Sequence, residues 1–390
     1  MTVRSAIVLA AGEGMRLRPL TRHRPKPMLP AATKPILEHV FDELIGAGIE
    51  RLTVVVGYGR TAVQSHFGST YRDVPIEYAI QDKQLGSAHA LAAALPTADE
   101  PSLVVNGDQL IDASIVRDTI ERHDESADGT IGVVAASDVT EYGGVIVDAD
   151  GTVTELAENP TDERCYRLNA GVYVLEPTTI DIVTSVDSSE GEYSLPDGLS
   201  LLLERGETVN AVETEGMWID ATYPWDLLTV AETLFDTGTV ESTVASTAQV
   251  HESATVREPA IVSPDCVIGP GAVVGPYASI GDNVTVGSNA TVENSVLDSD
   301  TRIGSNATVL DCVTGRGVEI GPGSAVVGGR SDVRVGTAVH EGQRLGALLA
   351  DRATDDGGVT YAPGTIVGSA VTIHAGRTVR GSIESDTEVR

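Results

Sequence analysis

Lysine is almost missing from this chain. Of its 26 basic residues only Lys26, Lys34 and Lys83 are lysine, set against 57 acidic side chains and a formal net charge of −31 over 390 residues. Such a surface repels polyanions, which excludes nucleic acid and anionic membrane as partners. An apolar share of 41% excludes a disordered chain. High salt would screen the self-repulsion, so the charge describes the solvent before it describes a function. Cysteine is also scarce. Cys165, Cys266 and Cys312 are far apart, form no CxxC pair and offer no disulfide framework, which suits a reducing cytoplasm. No apolar run approaches the ~20 residues of a membrane span, and the amino-terminal segment does not read as a signal peptide.

The length suggests two or three domains, at roughly 100–200 residues each. In the first part, strand-like and helix-like segments alternate. Ser5–Leu9, Leu52–Val56, Ile76–Ile80 and Leu103–Val105 read as strands, while Ile36–Ala47 and Ser87–Leu95 read as helices. This alternation predicts an α/β, Rossmann-like, mostly parallel sheet covered on both faces, with ligands beyond the carboxyl ends of its strands. The second part has a period of six. Val250, Val256, Val262, Ile268, Val274, Ile280, Val286 and Val292 stand in register, and two residues before each lies Ala, Cys or Val. A hexapeptide repeat of this kind predicts a parallel β-helix with one short strand per hexapeptide. The register slips near Asp298 and resumes at Ile303 and Val309. It fails around Leu345–Gly358, which reads as an inserted loop, and returns at Val367, Ile373 and Val379. The expected domains are therefore 1–236, a linker 237–246 and a β-helix 247–390.

The chemistry concentrates where the acid is absent. From Gly14 to Leu37 there is no Asp or Glu, yet the window holds Arg16, Arg18, Arg22, Arg24, Lys26 and Lys34. A cationic island in an anionic protein is what a phosphate-rich ligand requires, and Gly12 and Gly14 let backbone N–H groups approach phosphate oxygens. A loop of solvated charges is the plainer alternative. The dinucleotide fingerprint fails because its third glycine is replaced by Leu17, and the Gly-Lys-Ser/Thr of a P-loop is absent.

The segment LAAGEGMRLRPLTRHRPKPMLP, Leu9–Pro30, resembles the signature of sugar-1-phosphate nucleotidylyltransferases. Further segments resemble the family in the same order. Gln81–Ala90 is similar to the base-recognition loop of its pyrimidine-specific members, and Asn106-Gly107-Asp108 to its metal-binding segment. Tyr142-Gly143-Gly144, Glu158-Asn159-Pro160 and Asn169-Ala170-Gly171 resemble its sugar-pocket segments, and Trp218-Ile219-Asp220 the place of a second metal ligand. Glucose-1-phosphate thymidylyltransferases and uridylyltransferases are the members implied, with a carboxy-terminal left-handed β-helix as in archaeal bifunctional N-acetylglucosamine-1-phosphate uridylyltransferases. The acidic composition points to a haloarchaeal source.

The resemblance implies attack of a sugar 1-phosphate oxygen on the α-phosphorus of UTP or dTTP, with Mg²⁺ as cofactor. On this reading Arg16 holds the β- and γ-phosphates, Lys26 lies at the α-phosphate, and Asp108 and Asp220 bind the metal. Leu9, Ala11, Gly12, Gly14, Gln81, Gly86 and Ser87 contact the nucleotide. The Gln81 amide carries both a donor and an acceptor, the pair that reads the edge of uracil or thymine. Gly143, Glu158, Asn159 and Asn169 face the sugar phosphate, either glucose 1-phosphate or N-acetylglucosamine 1-phosphate. Many relatives carry lysine where this chain has Asn159, so Arg164 or Arg167 is expected to replace its charge, or the phosphate binds differently.

For the β-helix three roles compete. It assembles a homo-oligomer, as a trimer or through dimer contacts; it acetylates glucosamine 1-phosphate with acetyl-CoA, His340 being the best candidate base; or it regulates. A non-catalytic paralogue that binds nucleotide sugars is a further alternative.

Overall fold

A computed structural model describes residues 3–390 except 96–99, 125–126, 137–138, 141, 163 and 186–190. The chain forms two compact units. One comprises Met1–Glu13, Arg24–Met28 and Ile36–Asp220; the other comprises Gly14–His23, Leu29–Pro35 and Ala221–Arg390. No helix among the described residues is long and apolar enough to cross a membrane.

In the first unit the strand Ser5–Ala10 is central because both of its faces are apolar: Ala6 to Ala10 are all at most 8% exposed. It pairs in parallel with Arg51–Val56 on one side and Ser102–Asn106 on the other, and Val74–Ile80 continues the parallel run. Antiparallel strands extend the sheet beyond Ser102–Asn106: first Arg167–Leu175, then Gly143–Val147 and Val153–Glu158. The parallel core places the Gly12 turn and the Asn106 turn side by side, since Leu9 is in register with Asn106. Helix Ile36–Gly46 buries Leu37, Val40, Phe41 and Leu44 at 3.6-residue spacing against the sheet. A separate two-strand ladder pairs Trp218–Asp220 with Gln109–Ile111, Asp220 lying opposite Gln109.

The second unit contains the helix Asp226–Asp236 and three ladders of short parallel strands from Thr243 to Val389. These are the faces of the hexapeptide β-helix. Val262, Val274, Ile280, Val286 and Val292 point inward and are fully buried. Early coils span 18 residues, as between Ser253 and Gly271. The slip near Asp298 reflects a tighter coil of 17, seen between Ser295 and Cys312.

One expectation is corrected. Leu345–Gly358 is not an insertion but two regular strands, Ala347–Leu349 and Thr354–Asp355. The hexad register runs on through Leu349, Asp355 and Tyr361, which lie opposite Val367, Ile373 and Val379. It escapes a search for valine and isoleucine because Leu, Asp and Tyr fill those inward places. The insertion lies just before, as an antiparallel hairpin of Arg330–Val335 and Ala338–Arg344.

Asp355 tolerates the core because it is fully bonded. Its Oδ1 accepts from the Gly321 and Gly357 N–H groups and the Ser324 hydroxyl at 2.7–2.9 Å, and its Oδ2 from the Tyr361 hydroxyl at 2.8 Å. Tyr361→Phe removes one donor from a buried carboxylate, so chemical denaturation is expected to show a loss of about 1–3 kcal/mol. Parental stability would mean that the hydroxyl contributes nothing there.

Candidate active site

The carboxyl ends of the parallel strands open into a cavity of about 410 Å³ within the first unit. Its lining includes Leu9, Ala11, Gly12, Lys26, Gln81, Gly86, Ser87, Asp108, Gly143, Glu158, Asn169 and Asp220. Twelve positions singled out from the sequence are thus brought together by the sheet topology. Lys26 is the one cation among the described lining residues, which also include the carboxylates of Asp108, Glu158 and Asp220.

Lys26 sits at the centre of the charge. It is 8% exposed, and its Nζ lies 2.5 Å from Asp220 Oδ1 and 3.0 Å from Asp108 Oδ2. The pairing of Trp218–Asp220 with Gln109–Ile111 makes this possible, because it draws Asp220 alongside the Asp108 turn. Burial alone would lower the lysine pKa, but the attraction and hydrogen bonds of Asp108 and Asp220 outweigh it and raise Lys26 above its ordinary value. An ammonium has three donors. Two are engaged by the aspartates, which leaves a third for a phosphate oxygen.

Gly12 lines the same cavity without a folding reason to be glycine. Its φ is unexceptional, and a Cβ built on it would meet nothing within 4 Å. The absence of a side chain there leaves open space in the cavity. Gly86 is different: its φ is 107°, and a Cβ would lie 2.4 Å from the Tyr193 carbonyl oxygen. That close approach fixes the turn carrying Gln81 and Gly86. Gln81 is buried, its Nε2 donating to the Gly86 carbonyl at 3.0 Å and lying 2.9 Å from Nδ1 of His89. With the amide nitrogen so engaged, Oε1 is the part of the side chain left to accept from a base. The Ser87 hydroxyl accepts from the Leu195 N–H at 2.7 Å.

On the opposite wall, Asn169 Oδ1 accepts from the Gly171 N–H at 2.9 Å and the Tyr173 hydroxyl at 3.0 Å. Its Nδ2 is the donor end. Glu158 is exposed at the rim; partial loss of water first, and then the carboxylates of Asp197 and Glu192, raise its pKa. Trp218 donates from Nε1 to the Ala170 carbonyl and meets Tyr142 edge-on at 5.1 Å. Sequence reasoning did not single out Gln109, Tyr173, Leu195 or Pro196, which also line the cavity. Tyr173 carried a usable signal, since it lies four residues beyond Asn169 on the strand Arg167–Leu175 and shares its face.

Four expected residues are not among the lining. Asn159 adopts a left-handed conformation, φ 46°, with its N–H bonded to the Tyr142 carbonyl at 2.9 Å. Arg164 does not replace the missing lysine there, because Glu155 and Asp162 hold its guanidinium at 2.6–3.0 Å on the surface. Arg167 lies 3.1 Å from Glu213. Gly14, Arg16 and His340 belong to the second unit. Gly14 opens the Met15–Leu17 turn with φ 71°. Arg16 is exposed and lies over the ring of Tyr223, while His340 packs against Tyr223 and Trp225.

Comparison with known proteins places the chain in a family. A family model described as "Nucleotidyl transferase" matches residues 5–251, and one described as "GMPPB C-terminal domain" matches residues 256–385. The chain is 36% identical over 224 residues to "UTP--glucose-1-phosphate uridylyltransferase AglF" of Haloferax volcanii, covering 57% of this chain and 92% of that protein. It is 34% identical over 255 residues to "Bifunctional protein GlmU" of Methanococcus maripaludis, covering 63% of this chain but only 59% of that protein. Among solved structures, that of a UDP-glucose pyrophosphorylase complexed with UDP-glucose superposes with a TM-score of 0.55 at 20% identity, over 60% of this chain and 99% of that one, a likeness of fold. Enzymes of this family typically use a divalent metal. From the signature loop to the end of the catalytic sheet, this chain belongs to the nucleotidyl transferase family.

Proposed function

We propose that this chain transfers a uridylyl or thymidylyl group from UTP or dTTP to a sugar 1-phosphate, either glucose 1-phosphate or N-acetylglucosamine 1-phosphate. One phosphate oxygen of the sugar forms a bond to the α-phosphorus, the bond from that phosphorus to the β-phosphate bridging oxygen breaks, and pyrophosphate leaves. The observation that carries this reading is Lys26, buried between Asp108 and Asp220 in the cavity that also holds Gln81 and Asn169.

Both substrates are anions, so the residues must neutralise charge and align groups more than make bonds. Lys26 offers its remaining donor to the α-phosphate. Gln81 Oε1 suits the N3–H of uracil or thymine, with the Gly86 backbone beside it. Asn169 Nδ2, Glu158 and the Gly143 backbone suit sugar hydroxyls. Arg16 would hold the β- and γ-phosphates.

The donor chemistry fits Mg²⁺, since Asp108 and Asp220 are hard oxygen donors held near each other on either side of the Lys26 ammonium. No group of three or more His, Cys, Asp or Glu among the described residues could hold a metal, so phosphate oxygens would complete the set. The ion would supply positive charge between the two anions.

The reading includes a cytoplasmic enzyme, with residues 1–236 as the catalytic part and 247–390 as the β-helix. It includes self-association through that helix, supported by Val250 and Val267 exposed on its first coils; a monomeric mass in solution would overturn that part. The deciding assay is pyrophosphate release at high salt across a grid of sugar 1-phosphates and nucleoside triphosphates. Turnover is expected with UTP or dTTP. Turnover confined to purine triphosphates would reject the base assignment to Gln81.

A further inference from the structure

We propose that the second unit carries a ligand site of its own, a cavity at the carboxy-terminal end of the β-helix that takes a small amphipathic anion, an apolar body with one anionic end. The site does not depend on the catalytic reading, and every residue lining it belongs to that one unit.

One face of the β-helix is apolar outside as well as inside. On the strands Ser295–Leu297, Cys312–Thr314, Ala347–Leu349 and Thr365–Val367, the middle residues Val296, Val313, Leu348 and Ile366 stand in register. Their neighbours Leu297, Cys312, Ala347, Leu349 and Val367 belong to the core of the helix, so strand alternation turns the middle row outward. An outward apolar row needs a cover. Helix Asp226–Asp236 packs over the first two of these strands, and Val296, Val313 and Leu348 are wholly buried. The row ends at Ser382, which is opposite Ile366 and exposed. There the cover is made by other parts of the unit. The Met15–Pro19 turn and the tip of the inserted hairpin, Arg334–Gly336, meet Ile366 and leave a cavity of about 420 Å³, bounded at its end by Ser382–Ser385.

That volume suits a small molecule. Met15, Pro19, Val335, Ile366 and Ile383 give the cavity apolar walls, yet Met15 is 64% exposed. An apolar side chain left in water beside an apolar cavity gains when an apolar occupant arrives. Charge selects the other end of that occupant. The lining holds two arginines, Arg18 and Arg334, to one acid, Glu384, in a chain with 57 acidic and 26 basic residues. Guanidinium groups suit carboxylate and phosphate oxygens. Such an occupant also gives the inserted hairpin a role. The hairpin forms a sheet of its own and adds a strand to none of the three ladders. Its tip supplies one charged contact, Arg334, and one apolar contact, Val335, and Gly336 makes the tight turn beside them with φ 58°.

Calorimetric titration of the full chain with octanoate and with octanamide tests this, since the two probes have nearly the same shape and only one is charged. The salt is set to the lowest level that keeps the chain folded, because salt screens exposed charges. Each probe is expected to bind once per chain, octanoate about three- to tenfold more tightly. Arg334→Glu is expected to abolish that preference and to leave octanamide near its parental affinity. Val335→Ser is expected to weaken both probes about three- to tenfold through lost apolar contact. Met15→Ser reaches the same result from a different segment should Val335→Ser disturb the hairpin. Absence of binding, or binding unchanged in both serine variants, overturns the proposal. Equal parental affinity for the two probes overturns it as well, because the arginines then select nothing. If octanoate binding falls away as the chain self-associates, the cavity is an interface between copies and the proposal fails. None of these results bears on pyrophosphate release, which tests the catalytic reading separately.

Discussion

Lys26→Ala is expected to lower turnover by about 10²–10³-fold at saturating substrates. No other cation lines the cavity among the described residues, so its loss leaves Asp108 and Asp220 facing incoming phosphates as like charges. The loss falls on kcat as well as on kcat/KM, because a fixed positive charge matters most where charge builds in the transition state. Lys26→Arg keeps the charge but spreads it over a flat fork too wide for a place 2.5 and 3.0 Å from two carboxylates. It is expected to recover only part of the rate. The pH dependence follows from the direction of the shift. Since the aspartates raise the folded pKa of Lys26 above the unfolded value of about 10.4, the pairing stabilises the fold fully below that value and weakens only as pH rises through the folded one. Activity between about pH 6 and 9 therefore carries no step from Lys26. Pyrophosphate release with each variant, with folding checked by circular dichroism, decides the matter. Near-parental turnover in Lys26→Ala would remove this residue from the chemistry.

Complete removal of divalent metal is the second large effect, and excess chelator is expected to stop turnover altogether. Among the described residues the cavity lining holds three carboxylates and one ammonium, and both substrates add negative charge to it. Lys26 is already engaged by two of those carboxylates, so it cannot balance a triphosphate and a sugar phosphate alone. Asp108→Asn and Asp220→Asn are each expected to raise the half-saturating Mg²⁺ concentration by about 10–100-fold or more. Calorimetric titration of Mg²⁺ into the enzyme with nucleoside triphosphate gives a readout separate from activity. Full turnover in chelator would sink the metal assignment while leaving the Lys26 prediction to stand or fall by itself.

The sequence made the local parts of this molecule readable and left the pairwise ones hidden. Leu9–Pro30 could be recognised because its glycines and cations are consecutive, and the β-helix because an inward residue recurs every six positions. The α/β sheet and the nucleotidyltransferase class followed from those features and hold. What pairs across the fold was less accessible. Asp108 and Asp220 could be named, but their common partner Lys26 depends on a two-strand ladder that no periodicity announces. The hairpin was misplaced because Asp355 and Tyr361 satisfy each other inside a helix where only aliphatic residues were sought. Arg164 looked available near Asn159, yet Glu155 and Asp162 engage it, which only the turn geometry reveals.

The short ladder between Trp218–Asp220 and Gln109–Ile111 also sets when the site comes into being. Lys26 and Asp220 are 194 residues apart, and bringing together chain ends so distant costs entropy that later contacts must repay. Synthesis proceeds from the amino terminus, so the sheet core can close around Ser5–Ala10 well before Asp220 emerges. Until then Lys26 has only one of its two carboxylates. Competence is thereby a late acquisition, and a chain stopped before Trp218 can have a sheet and a glycine turn without the charge arrangement that would let it consume nucleotide.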